Sequence, residues 1–595
     1  IKKRIGLFKF IFQLNPPAKN FISLEEWRAK FKFWGITKED KIIFSSNRVP
    51  DFKPYEDGYF RFFSAESIYL GKDYDWLTNP DSGCKYDIAQ PWWKINDYSK
   101  EAGDIKFVWE KSRFAFLYDI IRNDKYTGID RSQWVFDKII SWINENPVNF
   151  GPNYKCSQEI SLRILNWTYA LNYYRNSPNL TEGIFNEVMN SIYLQLNHVY
   201  SNINFSRIAV RNNHAITETL TLYIAGMYYS FFPGADKWKR KGKKWFEKEI
   251  EYQIYEDGTF LQYSMNYHRV VIQLLTWAYK SAHFMHDNFS KVVYDRAYKS
   301  LEFLYACQDQ QTGWLPNYGQ NDGALFFKFT NCDFRDYRPQ LNTLHYLLTG
   351  EHLYGNGDWL EDFEWFNANQ INTHTYKKIQ LKKGWYSFPL GGYYVLRETE
   401  GLTFIRCGKH LNRPAQADNL HIDIWYNGAN ILFDGGTYKY NTEDVILKYF
   451  MGTSSHNTIM LDEYDQMLKG SRFIWYNWSQ AIDAVVNETK SEFIFTGTIS
   501  AFTYLNKHIK HHRKIVKLKG KSEWIITDFV NTKPENSKIV QHWNLTDNTQ
   551  IESLNGFELK EDTGWKSDYY GLKKEARHLT ISTNENTLKT KIKLQ

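Results

Sequence analysis

The sequence predicts an α+β multidomain chain, in which a helical N-terminal part gives way to a C-terminal antiparallel sheet. Three observations predict it. Apolar residues recur at i, i+3 and i+4 in successive segments between Asp104 and Cys307, the period of helices with one buried face. Past about Tyr376 the period falls to two, in short β-branched and aromatic runs separated by Gly and Asn. The 595 residues also exceed a single hydrophobic core, since a domain runs to roughly 100–200 residues.

Residues 1–100 read as an aromatic, loop-rich lead-in that packs on a larger body, punctuated by the turn signals Pro16-Pro17, Asp57-Gly58 and Asp81-Ser-Gly83. The opening Ile1–Phe12 has a basic head and an apolar tail. Lys9 interrupts the apolar part and no small-residue cleavage site precedes Pro16, so it is not a clear signal peptide. Residues 101–375 carry the helical segments: Phe107–Tyr118, Trp134–Ile143, Gln158–Tyr174, Ile184–His198, Thr217–Ser230, Trp238–Tyr255, Val270–His286 and Lys291–Cys307. Short polar connections such as Asn144–Pro147 and Phe232–Gly234 pair them as antiparallel hairpins, arranged in a ring or a solenoid. Residues 376–595 carry the strands Tyr393–Arg397, Thr403–Arg406, His421–Tyr426, Ile431–Phe433, Asn457–Leu461, Phe493–Thr498, Lys514–Leu518 and Glu523–Asp528, and the boundary falls between Gly350 and Tyr376.

Composition narrows the function. Aromatics form 18% of the chain, with 22 Trp and 42 Tyr, a surplus that suits stacking on sugar faces or an unusually aromatic core. The net charge of +7 favours an acidic partner, either nucleic acid or an acidic polysaccharide. No RRM, zinc-finger or basic-zipper pattern is present, which sets nucleic acid aside. The five cysteines show no paired spacing for a disulfide framework or a thiolate zinc site. No run of about 18 apolar residues suggests a membrane span, and nothing in the sequence fixes an oligomeric state.

Three stretches carry chemistry. In Arg211–Glu218, Asn213 and His214 fall at the start of a helix, where free N–H groups and the macrodipole favour an anion such as a carboxylate. Asn212 or Asn213 would serve equally as a plain N-cap. In Asp257–Arg269 a turn leads to Tyr267, His268 and Arg269 at another helix mouth, where a phenol can act as a base if neighbours lower its pKa. The third stretch runs from Arg413 through Gln416, Asp418, His421 and Asp423 to Asp434 and His456. So many polar residues in strands need partners.

Together Asn212–Glu218, Asn266–His268, Gln416–Asn419, Asp434–Tyr438 and Ser455–Thr458 resemble the heparinase II/III group of polysaccharide lyases, and Asp104–Glu110 and Ser157–Trp167 resemble its earlier helices. The resemblance covers roughly residues 100–590. It implies an N-terminal incomplete (α/α) toroid, a C-terminal antiparallel β-sandwich and an active site between them. It implies β-elimination on a uronic-acid-containing acidic glycan, heparin or heparan sulfate first, with chondroitin, hyaluronan, alginate or bacterial capsular polymers as alternatives, in the periplasm or secreted from a bacterium. Asn213 and His214 would neutralise the uronate carboxylate and Tyr267 would take the C5 proton, with Glu218, His268, Arg269 and Arg413 binding substrate. Heparinase III-like members have a His four residues before the strand Asp, where this chain has Pro414. The acid is therefore Tyr267 itself, or His410 or His421. A structural divalent metal, zinc or calcium, would sit on Gln416, Asp434 and His456. The rival readings are a glycoside hydrolase, which normally needs two carboxyl groups flanking the bond, and a non-catalytic glycan-binding or assembly protein.

Overall fold

A computed structural model describes residues 19–42, 44–46, 48–368 and 376–594. The Ile1–Phe12 opening, and part of the segment assigned to the domain boundary, lie outside them. The lead-in contributes α1 (Leu24–Lys30), capped by Ser23, whose side chain accepts from the Glu26 N–H. Beyond it Phe33 and Trp34 enter the helical core. Trp34 stacks on Phe366 at 4.9 Å and donates to Ser281 Oγ at 3.0 Å, so the lead-in is an integral wall of the helical body.

The helical body comprises α2 (Lys106–Ser112), α3 (Leu117–Thr127), α4 (Ser132–Glu145), α5 (Ser157–Tyr173), α6 (Glu182–Asn204), α7 (Asn213–Tyr228), α8 (Ala235–Gln253), α9 (Met265–Phe284), α10 (Lys291–Ala306), α11 (Arg338–Thr349) and α12 (Leu360–Trp365). The continuous helix expected over Phe107–Tyr118 is broken. Phe114 adopts φ 63°, a left-handed turn that nothing in its apolar surroundings announces, and its ring is fully buried. Burial of the aromatic outweighs the backbone preference. α7 and α8 pack closely: a Cβ on Gly242 would fall 2.5 Å from the Tyr223 backbone nitrogen, so only glycine permits this approach.

The sandwich contains β1 (Gly384–Phe388), β2 (Tyr393–Arg397), β3 (Gly401–Arg406), β4 (Ile422–Tyr426), β5 (Ala429–Leu432), β6 (Ile459–Leu461), β7 (Gln480–Glu488), β8 (Glu492–Ser500), β9 (Lys510–Leu518), β10 (Glu523–Asn531), β11 (Ile539–Leu545), β12 (Thr549–Ser553), β13 (Leu559–Tyr569), β14 (Leu572–Thr583) and β15 (Thr587–Leu594). One sheet has the order β13-β14-β11-β5-β4-β3-β2-β1, with β6 also on β11; the other is β7-β8-β9-β10-β15-β12. The pairings are antiparallel. Ile405, Ile424, Phe495, Ile515, Trp524, Ile526 and Trp543 fill the space between the faces. The strands β1, β7 and β11 to β15 and the helices α1, α11 and α12 went unread in the sequence. Charged outward residues such as Lys589, Lys591 and Lys593 conceal the inward Leu588, Thr590 and Ile592. The architecture is thus a helical toroid followed by an antiparallel β-sandwich.

Candidate active site

The start of α7 is set by the chain before it. A π-helical turn at Phe205–Val210 ends in Arg211 at φ 50°, and Asn212 caps α7 by accepting from the His214 N–H at 3.1 Å. Capping by Asn212 leaves Asn213 for other work. Its backbone N–H and its Nδ2 both donate to Gln262 Oε1 at 2.9 Å, and its Oδ1 accepts from Gln158 Nε2 at 2.5 Å. An amide nitrogen carries two hydrogens, so one remains for a ligand. His214 has the Cys156 thiol 3.7 Å from Nδ1, which leaves Nε2 as its second working nitrogen. Burial above all pushes its pKa down to about 4, so the ring is neutral at neutral pH.

α9 begins at Ser264, whose Oγ accepts from the Tyr267 N–H and donates to Gln320 O. This cap fixes Tyr267 in the first turn. Its hydroxyl lies 2.8 Å from the hydroxyl of Tyr440, on the loop that leaves β5. The Tyr440 N–H donates to Tyr570 Oη at 2.9 Å, which anchors that loop. Lys106 Nζ stands 4.1 Å from the centre of the Tyr440 ring and donates to Asp322 Oδ2 at 2.5 Å. Burial works to raise the Asp322 pKa, but Lys106 and Arg113 outweigh it and hold the carboxyl below its usual range. Burial first, then the charge of Asp322 and the Tyr440 hydroxyl, hold Tyr267 well above an ordinary phenol. Tyr440 is raised for the same leading reasons, burial and Asp322. Arg413 is exposed, and its charge is felt at both phenols.

Lys106, Asp322 and Tyr440 were not picked from the sequence as site residues. Lys106 lies in the Asp104–Glu110 stretch, Asp322 in an Asn-Asp-Gly turn, and Tyr440 two residues past the Asp434–Tyr438 stretch. The last of these was the readable signal.

Several assignments from the sequence are corrected. His268 is buried between Phe260 and Phe303, with ring centres 5.6 Å away in each case, and burial pushes it down to about 3. Arg269 is fully buried, donating to Phe334 O and Asn266 Oδ1 and lying between the Phe334 and Tyr337 rings. Each helical residue turns the side chain about 100°, so the neighbours of Tyr267 enter the core rather than the cleft. Glu218 is also buried. It accepts from Ser206 Oγ at 2.6 Å, bracing the π-helical turn, and burial raises it to about 8. His410 is buried, 3.5 Å from Arg406 Nη2 and edge-on to Tyr263, and it makes no hydrogen bond to either phenol.

His421 belongs to a different cluster. With Asp434 and His456 it forms a fully buried trio whose donor atoms lie within 4.8 Å of one another. His456 Nδ1 is 2.9 Å and His421 Nε2 3.6 Å from Asp434 Oδ2, and His421 Nδ1 accepts from the Asn457 N–H. His421 thus joins Asp434 and His456 of the expected set of Gln416, Asp434 and His456. Gln416 borders the trio, its amide donating to Gly436 O and Phe450 O. His421 Nε2, His456 Nε2 and Gln416 Oε1 are buried with no hydrogen-bond partner, which is what residues built to hold a cation would leave. The trio ties β4, β5 and β6 where Asp434 opens the Tyr440 loop.

The profile of the heparinase II/III N-terminus matches residues 50–309, and that of the heparinase II/III-like C-terminal region matches residues 382–594. The chain belongs to the heparinase II/III-like family. This heparinase II/III-like chain is 21% identical to a heparin-sulfate lyase of Bacteroides stercoris over 565 residues, 87% of this chain and 76% of that protein. It is 22% identical to the heparin-sulfate lyase of Pedobacter heparinus over 458 residues, 73% of this chain and 60% of the relative. Its fold matches a crystal structure of heparinase III at a TM-score of 0.67 and 16% identity, covering 96% of this chain and 88% of the other. It also matches the chondroitin AC lyase of Streptomyces coelicolor A3 at a TM-score of 0.51 and 9% identity, covering 81% and 74%.

Proposed function

We propose that this polysaccharide lyase cleaves a uronate-containing acidic glycan of the heparan type by β-elimination, using the Tyr267–Tyr440 pair. The observation that carries the reading is the 2.8 Å contact between a toroid phenol and a sandwich phenol, with Asn213 and His214 at the neighbouring helix start. The relatives' heparin-sulfate lyase activity supports the substrate class. The C5 proton of a uronate is hard to remove while its carboxylate is charged. The free Asn213 amide hydrogen and the neutral His214 ring bind that carboxylate and stabilise the enolate-like charge that develops on it. Tyr267, once deprotonated, accepts the C5 proton, the C4–O4 bond breaks, and Tyr440 returns a proton to the departing O4. The charge of Arg413 favours the phenolate and draws in the polyanion. Two phenols thus do the work that Pro414 removed from a sandwich histidine.

The His421, Asp434 and His456 donor set suits zinc better than calcium, because two imidazoles and one carboxylate form a nitrogen-rich site. Its role is structural: it holds the base of the Tyr440 loop. Among the described residues no helix is long and apolar enough to cross a membrane. A polymer of this kind is met outside the cytoplasm, which supports a periplasmic or secreted enzyme. The decisive test is ultraviolet absorbance near ~230 nm during digestion of heparan sulfate, since only elimination creates a C4–C5 double bond. New reducing ends without that absorbance would make the enzyme a hydrolase.

A further inference from the structure

A cationic cavity, about 500 Å³ in volume, opens on a different part of the molecule. Three parts of the chain wall it. Tyr305 comes from the end of α10 and Leu353 from the loop after α11, Lys378 to Lys383 from the segment that precedes β1, and Arg397 to Thr399 from the end of β2 and the turn that follows it. It shares no residue with the Tyr267 cluster. Its charged lining is Lys378, Lys382, Lys383 and Arg397 against the single carboxylate of Glu398, which Lys517 Nζ already neutralises at 2.9 Å.

Arg397 distinguishes this cavity from a patch of surface lysines. It is only 8% exposed, yet its hydrogen bonds, to Ala306 O at 2.9 Å and Gln308 O at 2.8 Å, both leave from Nη1. Among the described residues Nε and Nη2 have no protein acceptor. Those nitrogens stay within reach of solvent and open to a ligand, and a guanidinium edge fits a carboxylate or a sulfate. Tyr305, Ile379 and Leu381 supply an apolar wall beside those donors, the combination a sugar ring with an anionic substituent requires.

We propose that this cavity is a second binding site for the same acidic glycan, resting on the lyase reading above. Arg397 takes one carboxylate or sulfate, and Lys378, Lys382 and Lys383 take neighbouring anions. The site holds a long polymer on the enzyme between cleavage events. It therefore acts on chains long enough to occupy both sites and not on short ones.

The test uses the full chain carrying Tyr267→Phe, so that the probe stays intact, titrated calorimetrically with a heparin-derived hexasaccharide. Two binding events are expected. Adding Lys378→Ala, Lys382→Ala and Lys383→Ala, all at exposed positions, removes one of them, and so does Arg397→Gln with an unchanged thermal melt. In the active enzyme the triple lysine variant raises KM on long polymer at least about tenfold and leaves tetrasaccharide cleavage unchanged. A single event in the parent, or two events that survive the triple variant, overturns the proposal. Full displacement of the second event by inorganic sulfate at equal charge overturns it too, since that reduces the site to a simple ion site. The titration reads binding without turnover, so it stands even if no polymer yields an unsaturated product.

Discussion

The hydroxyl groups of Tyr267 and Tyr440 lie 2.8 Å apart although 173 residues separate them in sequence. One belongs to the first turn of a toroid helix and the other to a sandwich loop, so the pair exists only when the two halves are docked. On the proposed mechanism, that contact makes catalysis a property of the junction.

Changing either phenol to Phe removes one proton-transfer group without altering ring packing. Tyr267→Phe and Tyr440→Phe are each expected to lower kcat by about 10²–10⁴ with an unchanged melt. The double variant should cost little more than the worse single one, because groups that act as a unit are not additive. His410→Ala, by contrast, should keep kcat within a few-fold. Initial rates by absorbance decide all four, and wild-type turnover by Tyr440→Phe would remove it from the mechanism.

The pH dependence follows from the burial of the two phenols and, after it, from the charge of Asp322. Both phenols are held above their ordinary range in the free protein, so the base form of Tyr267 is scarce at neutral pH and grows as pH rises. kcat/KM, which reports the free enzyme, should climb with pH through neutral into alkaline conditions. Asp322→Asn removes a negative charge that opposes ionisation of Tyr267 and frees the Lys106 ammonium to stabilise the phenolate. Its rising limb should therefore move to lower pH. A limb that stays in place would show that another group supplies the base.

Asn213→Ala should lower kcat more than it raises KM, because the carboxylate is held best as it becomes enolate-like. The variant also removes one hydrogen bond each from Gln262 and Gln158, so a melt must accompany the kinetics. On a carboxyl-reduced polymer the wild-type enzyme should be nearly inactive. Equal rates on native and reduced polymer would contradict the assignment.

His421→Ala, Asp434→Ala and His456→Ala should each abolish bound zinc, measured by elemental analysis after dialysis, and each should lower Tm, since a metal bound only by the folded state stabilises it by mass action. The effect of His421→Ala is the informative one. Full zinc retention in that variant would restore the Gln416 set. Chelation should also slow turnover, because Asp434 begins the loop that ends at Tyr440.

The sequence by itself determined the two-part architecture and the family. Hydrophobic period is local, so the change from 3.6 to 2 is legible in any window, and Asn213, His214, Tyr267, Asp434 and His456 are carried by short contiguous motifs. Which residues gather at the cleft was decided only by tertiary structure. His268 and Arg269 adjoin Tyr267 in sequence yet turn into the core, because each helical residue rotates the side chain by about 100°. His421 resembled a free acid until the sandwich closed it against Asp434. Lys106, Asp322 and Tyr440 come from three distant segments that carry no shared pattern. Their common site arises from docking one domain on the other, a long-range event that no local spacing records.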